Sequence, residues 1–191
     1  MQLILDRSSA ATLIAFGERT LTLPGRDETW VARLGELLGG ERPTALTVGV
    51  GPGSFAGIRA AIACLQGMGL GWGLKPRGFP SAAALALASG LPEVTVVGDA
   101  RRGTIWAVRY RRTGERLEQV GDFRILARER FVPTSEMVSP DAERLAEFAL
   151  RPVELTAELL PRTVAALGEA ALLADPLPIY LHPAVGAAHA E

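Results

Sequence analysis

The chain of 191 residues has one cysteine, Cys64, and one lysine, Lys75. A single cysteine excludes any internal disulfide and any thiolate cluster for a metal. A lone lysine that follows no Gly-x-x-x-x-Gly excludes the Walker type of phosphate loop. Only two histidines occur, at 182 and 189, and no pair of them is spaced as metal ligands on one helix. Between Arg42 and Pro92 there is no aspartate or glutamate at all. No window reaches the ~20 unbroken apolar residues of a membrane span. The opening MQLILDRSS lacks the basic and then apolar pattern of a secretory leader, so a cytoplasmic protein without membrane contact is expected. A formal net charge of -1 gives no global pull toward nucleic acid.

What the chain does have is concentrated in Thr44 to Gly73. Ala45 to Val50 reads as a buried strand, Gly51-Pro52-Gly53 as the turn that ends it, and Ser54 as the N-cap of a helix running to about Gly71. Ile58, Ile62 and Leu65 form an ordinary packing stripe. Another face is bare: Gly57, Ala60, Ala61, Cys64, Gly67 and Gly71, with Met68 beside them. Each glycine inside a helix costs roughly 0.5 to 1 kcal/mol relative to alanine. Close backbone approach, to the chain's own sheet or to a partner helix, would offset that cost, and the sequence leaves both open.

Three catalytic readings of the turn can be weighed. Gly51-Pro-Gly53-Ser-Phe-Ala56 formally fits a dinucleotide fingerprint, but the acid expected about twenty residues on is missing. Ser54 is not in a nucleophile elbow, because Pro52 holds the first glycine position of that pattern, and a capping serine is expected. No triad or metal-ligand pair accompanies it, so no catalytic residue, metal or cofactor is assigned.

Read from its start, the chain gives strands at Leu3 to Leu5, Ala11 to Phe16 and Arg19 to Leu23, with Asp6 and the polar turn Arg7-Ser8-Ser9 after the first. A helix is expected from Asp27 to Leu38, and its apolar Trp30, Val31, Leu34, Leu37 and Leu38 cover more than one face. Exposed Trp30 or Leu34 would mark an interaction surface. A short strand at Leu74 to Gly78 and a helix at Ser81 to Ala88, capped by Ser81, complete a mixed five-stranded lobe ending at Gly90-Leu91-Pro92. The second half repeats the plan: strand Val94 to Val97, acid Asp99, turn, then a hairpin of Thr104 to Arg111 and Arg116 to Val120. Its arginines 101, 102, 109, 111, 112 and 116 suggest a solvated sheet edge, with RNA contact as the alternative. Beyond it a helix is expected at Asp141 to Phe148, a strand at Val153 to Leu155, and a helix at Pro161 to Leu173.

GVGPGSFAGIR resembles the GxGPGSFTGLR signature of the TsaB (YeaZ) family, with Ala56 where Thr is usual and Ile58 for Leu or Val. Three further segments are similar in the same order: Asp6 with Arg7 in place of Thr, the Asp99-Ala100-Arg101-x-Gly103 run, and Pro178-Ile179-Tyr180-Leu181 with His182 for Arg. Gly98, Thr104 and Trp106 depart from the family pattern, and Glu28-Thr29 stands where family members often carry a histidine. The resemblance implies an α/β fold, actin-like and ribonuclease H-like, with lobes at 1–91 and 92–191, the second smaller and shortened. It implies a non-catalytic partner of the TsaD subunit, acting with TsaE in threonylcarbamoylation of tRNA adenosine and meeting tRNA only indirectly. Trp30, Leu34, Gly57, Ala60, Ala61, Cys64, Gly67, Met68 and Gly71 would form the partner face, which could also pair two copies. Asp6, Ser8, Gly51, Gly53, Ser54, Asp99 and Arg101 would be the motif loops. The competing readings are a small phosphotransferase using Asp6 and Asp99 on magnesium-nucleotide, and a paralogue with another partner.

Overall fold

A computed structural model describes residues 1–134 and 136–181. Strands β1 (Gln2–Asp6), β2 (Ala11–Phe16) and β3 (Arg19–Pro24) form an antiparallel meander. Helix α1 (Trp30–Leu38) leads to β4 (Ala45–Gly49), helix α2 (Phe55–Trp72) to β5 (Arg77–Phe79), and helix α3 (Ser81–Ser89) closes this half. The sheet order is β3-β2-β1-β4-β5, with β4 parallel to β1 and β5 parallel to β4. A second sheet follows from β6 (Glu93–Arg101), β7 (Thr104–Thr113), β8 (Arg116–Ala127), β9 (Met137–Ser139) and β10 (Arg151–Pro152). Its order, β8-β7-β6-β9-β10, repeats the first strand for strand and sense for sense. Helix α4 (Leu159–Leu167) comes last.

Alternation along each strand divides the core into layers. Leu3 and Leu5 face outward, where Trp30, Leu34 and Leu38 of α1 and Ile58, Ala61, Ile62 and Leu65 of α2 cover them. Ile4, Leu13 and Ala15 face inward, into one cluster with α3, α4 and Val94, Val96, Trp106, Val108 and Tyr110 of the second sheet. Helix α3 is alanine-rich because it lies inside that layer, buried nearly all round, where small side chains let both sheets approach. The outer face of the second sheet, Val97, Ile105 and Ala107, is covered by Phe131, Leu145, Phe148 and Leu150.

Several expected elements are corrected. Asp27 does not cap α1; its carboxylate accepts from the Thr29 backbone N–H and hydroxyl at 2.7 and 2.6 Å, and the helix begins at Trp30. Ser81 does not cap α3, whose N-cap is Pro80, because its hydroxyl is engaged elsewhere. Asp141 to Phe148 makes turns with a 3-10 segment only at Ala146–Phe148, ended by Ala149 at φ 49°. With Leu145 and Phe148 as its apolar anchors, so short a segment cannot offset the cost of helix nucleation. The strand near Val153 is Arg151–Pro152, one step earlier. Gly168, at φ 74° and ψ 159°, stops the last helix at Leu167, and the chain passes through a 3-10 turn at Glu169–Ala171 before Leu173 bridges Gly78 of β5.

Candidate functional site

The glycine turn and the first-strand acid are built into one another. Asp6 is 0% exposed, at the end of β1. Its Oδ1 accepts from the Ser8 backbone N–H at 2.7 Å and the Ser8 hydroxyl at 2.6 Å, and its Oδ2 accepts from the Ser81 hydroxyl. That serine oxygen in turn accepts from the Gly51 N–H at 3.1 Å. Burial pushes the Asp6 carboxyl above its ordinary range, and the hydrogen bonds from Ser8 and Ser81 partly counter it. Gly49 passes so close that a Cβ there would stand 1.7 Å from Asp6 Oδ2. The carboxylate that a phosphotransferase would turn toward magnesium is therefore sealed in this structure.

The same turns set the height of α2. Ser8 O accepts from the Ser54 N–H at 2.7 Å, and Ser54 caps the helix by accepting from the Gly57 N–H. Gly53, at φ 154°, could carry no side chain: a Cβ would meet Ser8 O at 2.0 Å. At Gly57 a Cβ would meet Arg7 O at 2.2 Å.

The bare helix face thus divides in two. Gly57 serves the chain's own close packing, Ala61 is fully buried, and Trp30 and Leu34 lie in the core under α1, so these four are removed from any outward surface. Ala60, Cys64 and Met68 are half-buried along the flank toward α1. Gly67 and Gly71 are exposed, with nothing within 4 Å of a Cβ built on either. Among the described residues no packing accounts for those two glycines. Ala56 and Ala63 share their exposed face, and Leu70 at its edge is 87% exposed. Ala63 and Leu70 were missed by a reading that followed only the glycines and their helical spacing.

Two motifs far apart in sequence meet at the N-terminal end of this helix. The Ile179 N–H donates to Val50 O at 2.9 Å, and the rings of Tyr180 and Phe55 lie 5.7 Å apart, both more than half exposed. The Arg59 guanidinium lies over the Phe55 ring at 5.2 Å. His182 and His189 lie outside the described residues.

In the second lobe, Asp99 repeats the first-lobe geometry: its Oδ1 accepts from the Arg101 backbone N–H at 2.9 Å, two residues on. Arg101 Nη1 pairs with its Oδ2 at 3.1 Å. Arg101 and Arg102 take left-handed backbone angles, φ 69° and 52°, at a bulge. Asp99 and Asp6 are not joined by any shared hydrogen bond among the described residues. Two of the six arginines of the hairpin, Arg109 and Arg111, share one cross-strand acid, Glu93, at 3.3 and 3.2 Å. Among the described residues no three of His, Cys, Asp and Glu gather as a metal site, and no helix is long and apolar enough to cross a membrane.

Comparison with known proteins adds to this geometry. Residues 39–176 match the family model described as TsaD: tRNA N6-adenosine threonylcarbamoyltransferase. No curated protein matches the sequence. Among solved structures, the chain is similar to YeaZ from Pseudomonas aeruginosa, with a TM-score of 0.75 at 22% identity, covering 94% of this chain and 99% of that one. It is equally similar to an uncharacterized protein with similarity to peptidase YEAZ from Pseudomonas aeruginosa, at TM-score 0.74 and 22% identity over 95% and 99%. The two-lobe, actin-like α/β fold is shared with these structures.

Proposed function

The chain belongs to the tRNA N6-adenosine threonylcarbamoyltransferase (TsaD) family, and on that premise we propose that it is the YeaZ-type, non-catalytic member of a tRNA-modifying assembly in the cytoplasm, docking a TsaD subunit, with a TsaE homologue, through the outer side of α1 and α2. The observation that carries this reading is the pair Gly67 and Gly71. The two glycines weaken the second half of α2 and pack against nothing among the described residues. A partner helix laid close along Ala60, Ala63, Gly67 and Gly71 offsets that weakness by backbone approach and by covering Leu70. The sealing of Asp6 supports a scaffold rather than a phosphotransferase.

Residues 57 and 61 are unsuitable for testing it, since Gly57→Leu would strike Arg7 O and Ala61→Arg would enter the core. Gly67→Arg and Ala63→Arg change only exposed positions. Each should abolish co-purification with the TsaD subunit of the same organism while the melting temperature of the free chain holds. Retained binding in both variants overturns the docking reading, and self-association lost in both while TsaD still binds makes the face a homodimer contact.

A further inference from the structure

Resting on that docking reading, we propose that the Arg7 guanidinium is a recessed docking point for a carboxylate carried by the partner helix. Arg7 is 8% exposed and sits between the two helices on the outer face of the first sheet. It lies over the Trp30 ring at 4.4 Å, on the α1 side, and its charge acts on Cys64 of α2. A guanidinium has five N–H donors and cannot lose its charge in a protein. Here Nε donates to Thr12 Oγ1 at 2.8 Å and Nη2 to Gly25 O at 2.7 Å. Both acceptors are neutral. No carboxylate pairs with Arg7 among the described residues.

Asp6, the neighbour of Arg7 in sequence, is engaged by Ser8 and Ser81, and Asp27, two residues past the Gly25 contact, by Thr29. None can come from the stretch holding β4, α2 and α3, because residues 43–92 contain no acid. Placing a guanidinium out of water without an anion is unfavourable unless a counter-charge arrives. Desolvation accordingly lowers the Arg7 pKa, although Cys64 works against it. A charge-assisted bond from an incoming carboxylate is the strong kind, and a buried one discriminates between partners.

The recess favours a protein side chain over a nucleic acid phosphate. Polyanion binding needs cations spread along a surface, whereas α2 itself carries one, Arg59, in a face otherwise of small and apolar residues. A second copy of this chain is also disfavoured as occupant, since α2 would bring Arg59 and no acid to the seam, and Glu36, the acid of α1, is paired with Arg33 at 2.9 Å.

The test is titration calorimetry of the full chain with the TsaD subunit of the same organism over a range of salt concentrations. Arg7→Gln should raise Kd at least tenfold and flatten its salt dependence, with Arg7→Lys recovering part of both. Should Arg7→Gln fail to fold, Cys64→Asp supplies the missing carboxylate from within. It should weaken binding at least tenfold relative to Cys64→Asn and raise the melting temperature. A folded Arg7→Gln variant with unchanged Kd and salt slope overturns the proposal, as does Cys64→Asp binding as tightly as Cys64→Asn. Gly67→Arg, read together with Ala63→Arg, separates the two levels: if both bind normally the docking reading itself fails. If either abolishes binding while Arg7→Gln does not weaken it, docking stands and the Arg7 role falls.

Discussion

The outer face of the first sheet carries two α-helices, while the second sheet, with the same strand order and senses, has only 3-10 turns at the equivalent crossings. The crossing from β4 to β5 runs from Val50 to Pro76 and holds the whole of α2; that from β9 to β10 runs from Pro140 to Leu150 and holds one 3-10 turn. A crossing that short spans the sheet edge but cannot lay a helix along it. The second sheet covers its outer face with loop side chains instead, Phe131 against Phe148 edge-on at 4.9 Å. Only the first lobe, therefore, has a long helix to offer outward. Connection length thus decides which copy of the duplicated architecture carries a long helix on its outer face.

Asp6 and Asp99 sharpen the comparison. Asp6 ends the central strand of its sheet, Asp99 lies two residues before the end of its own, and both accept from the backbone N–H two residues on. Asp6 is then closed in by Gly49 and Ser81, while Asp99 faces the exposed Arg101. Asp6→Ala strands two buried serine hydroxyls and a buried N–H, and should cost about 3 kcal/mol or more, against about 1 kcal/mol for Asp99→Ala. Urea unfolding of the two variants checks this, and equal losses would break the claim that the lobes use their acids differently.

The second contrast lies within α2. Gly57→Ala forces a methyl against Arg7 O and should destabilise by about 1 to 3 kcal/mol. Gly67→Ala, in open space, should stabilise the free chain by roughly 0.5 to 1 kcal/mol through helix propensity. Opposite signs in chemical denaturation are required; the same sign in both would remove the distinction between the inward and outward halves of the small-residue row.

The smallest effect is a pH dependence. Because the folded Asp6 carboxyl titrates above its ordinary value of 3.8, the folded state holds that proton more tightly than the unfolded one. Its contribution is fully present below 3.8 and is lost as pH rises through the folded value. The stability of the wild type relative to Asp6→Asn should therefore fall across that interval and level off above it. A difference that rises with pH would mean that the serine hydrogen bonds outweigh burial.

Much of this was legible beforehand because it rests on local pattern. The strands of the first lobe, the hairpin at Thr113-Gly114 and the Ser54 cap follow from alternation and turn chemistry over a few residues. Asp141 to Phe148 misled because helix-compatible composition says nothing about whether a helix has a surface to cover. Arg7 was visible only as a departure from the family pattern. Its burial became apparent once β2, the loop to α1, and Trp30 were assembled around it.

The amino-acid order alone determined the period of each element and the small-residue row on α2, since helix and strand periodicities are properties of neighbouring residues. It could not say which glycine of that row faces home and which faces outward, because Gly57 and Gly67 are chemically the same residue in the same helix. That was decided by contacts across long sequence separations: Ser8 to Ser54, Asp6 to Ser81 and Ile179 to Val50. These fix how α2 is rotated on its sheet, and rotation alone distinguishes a buried face from an offered one.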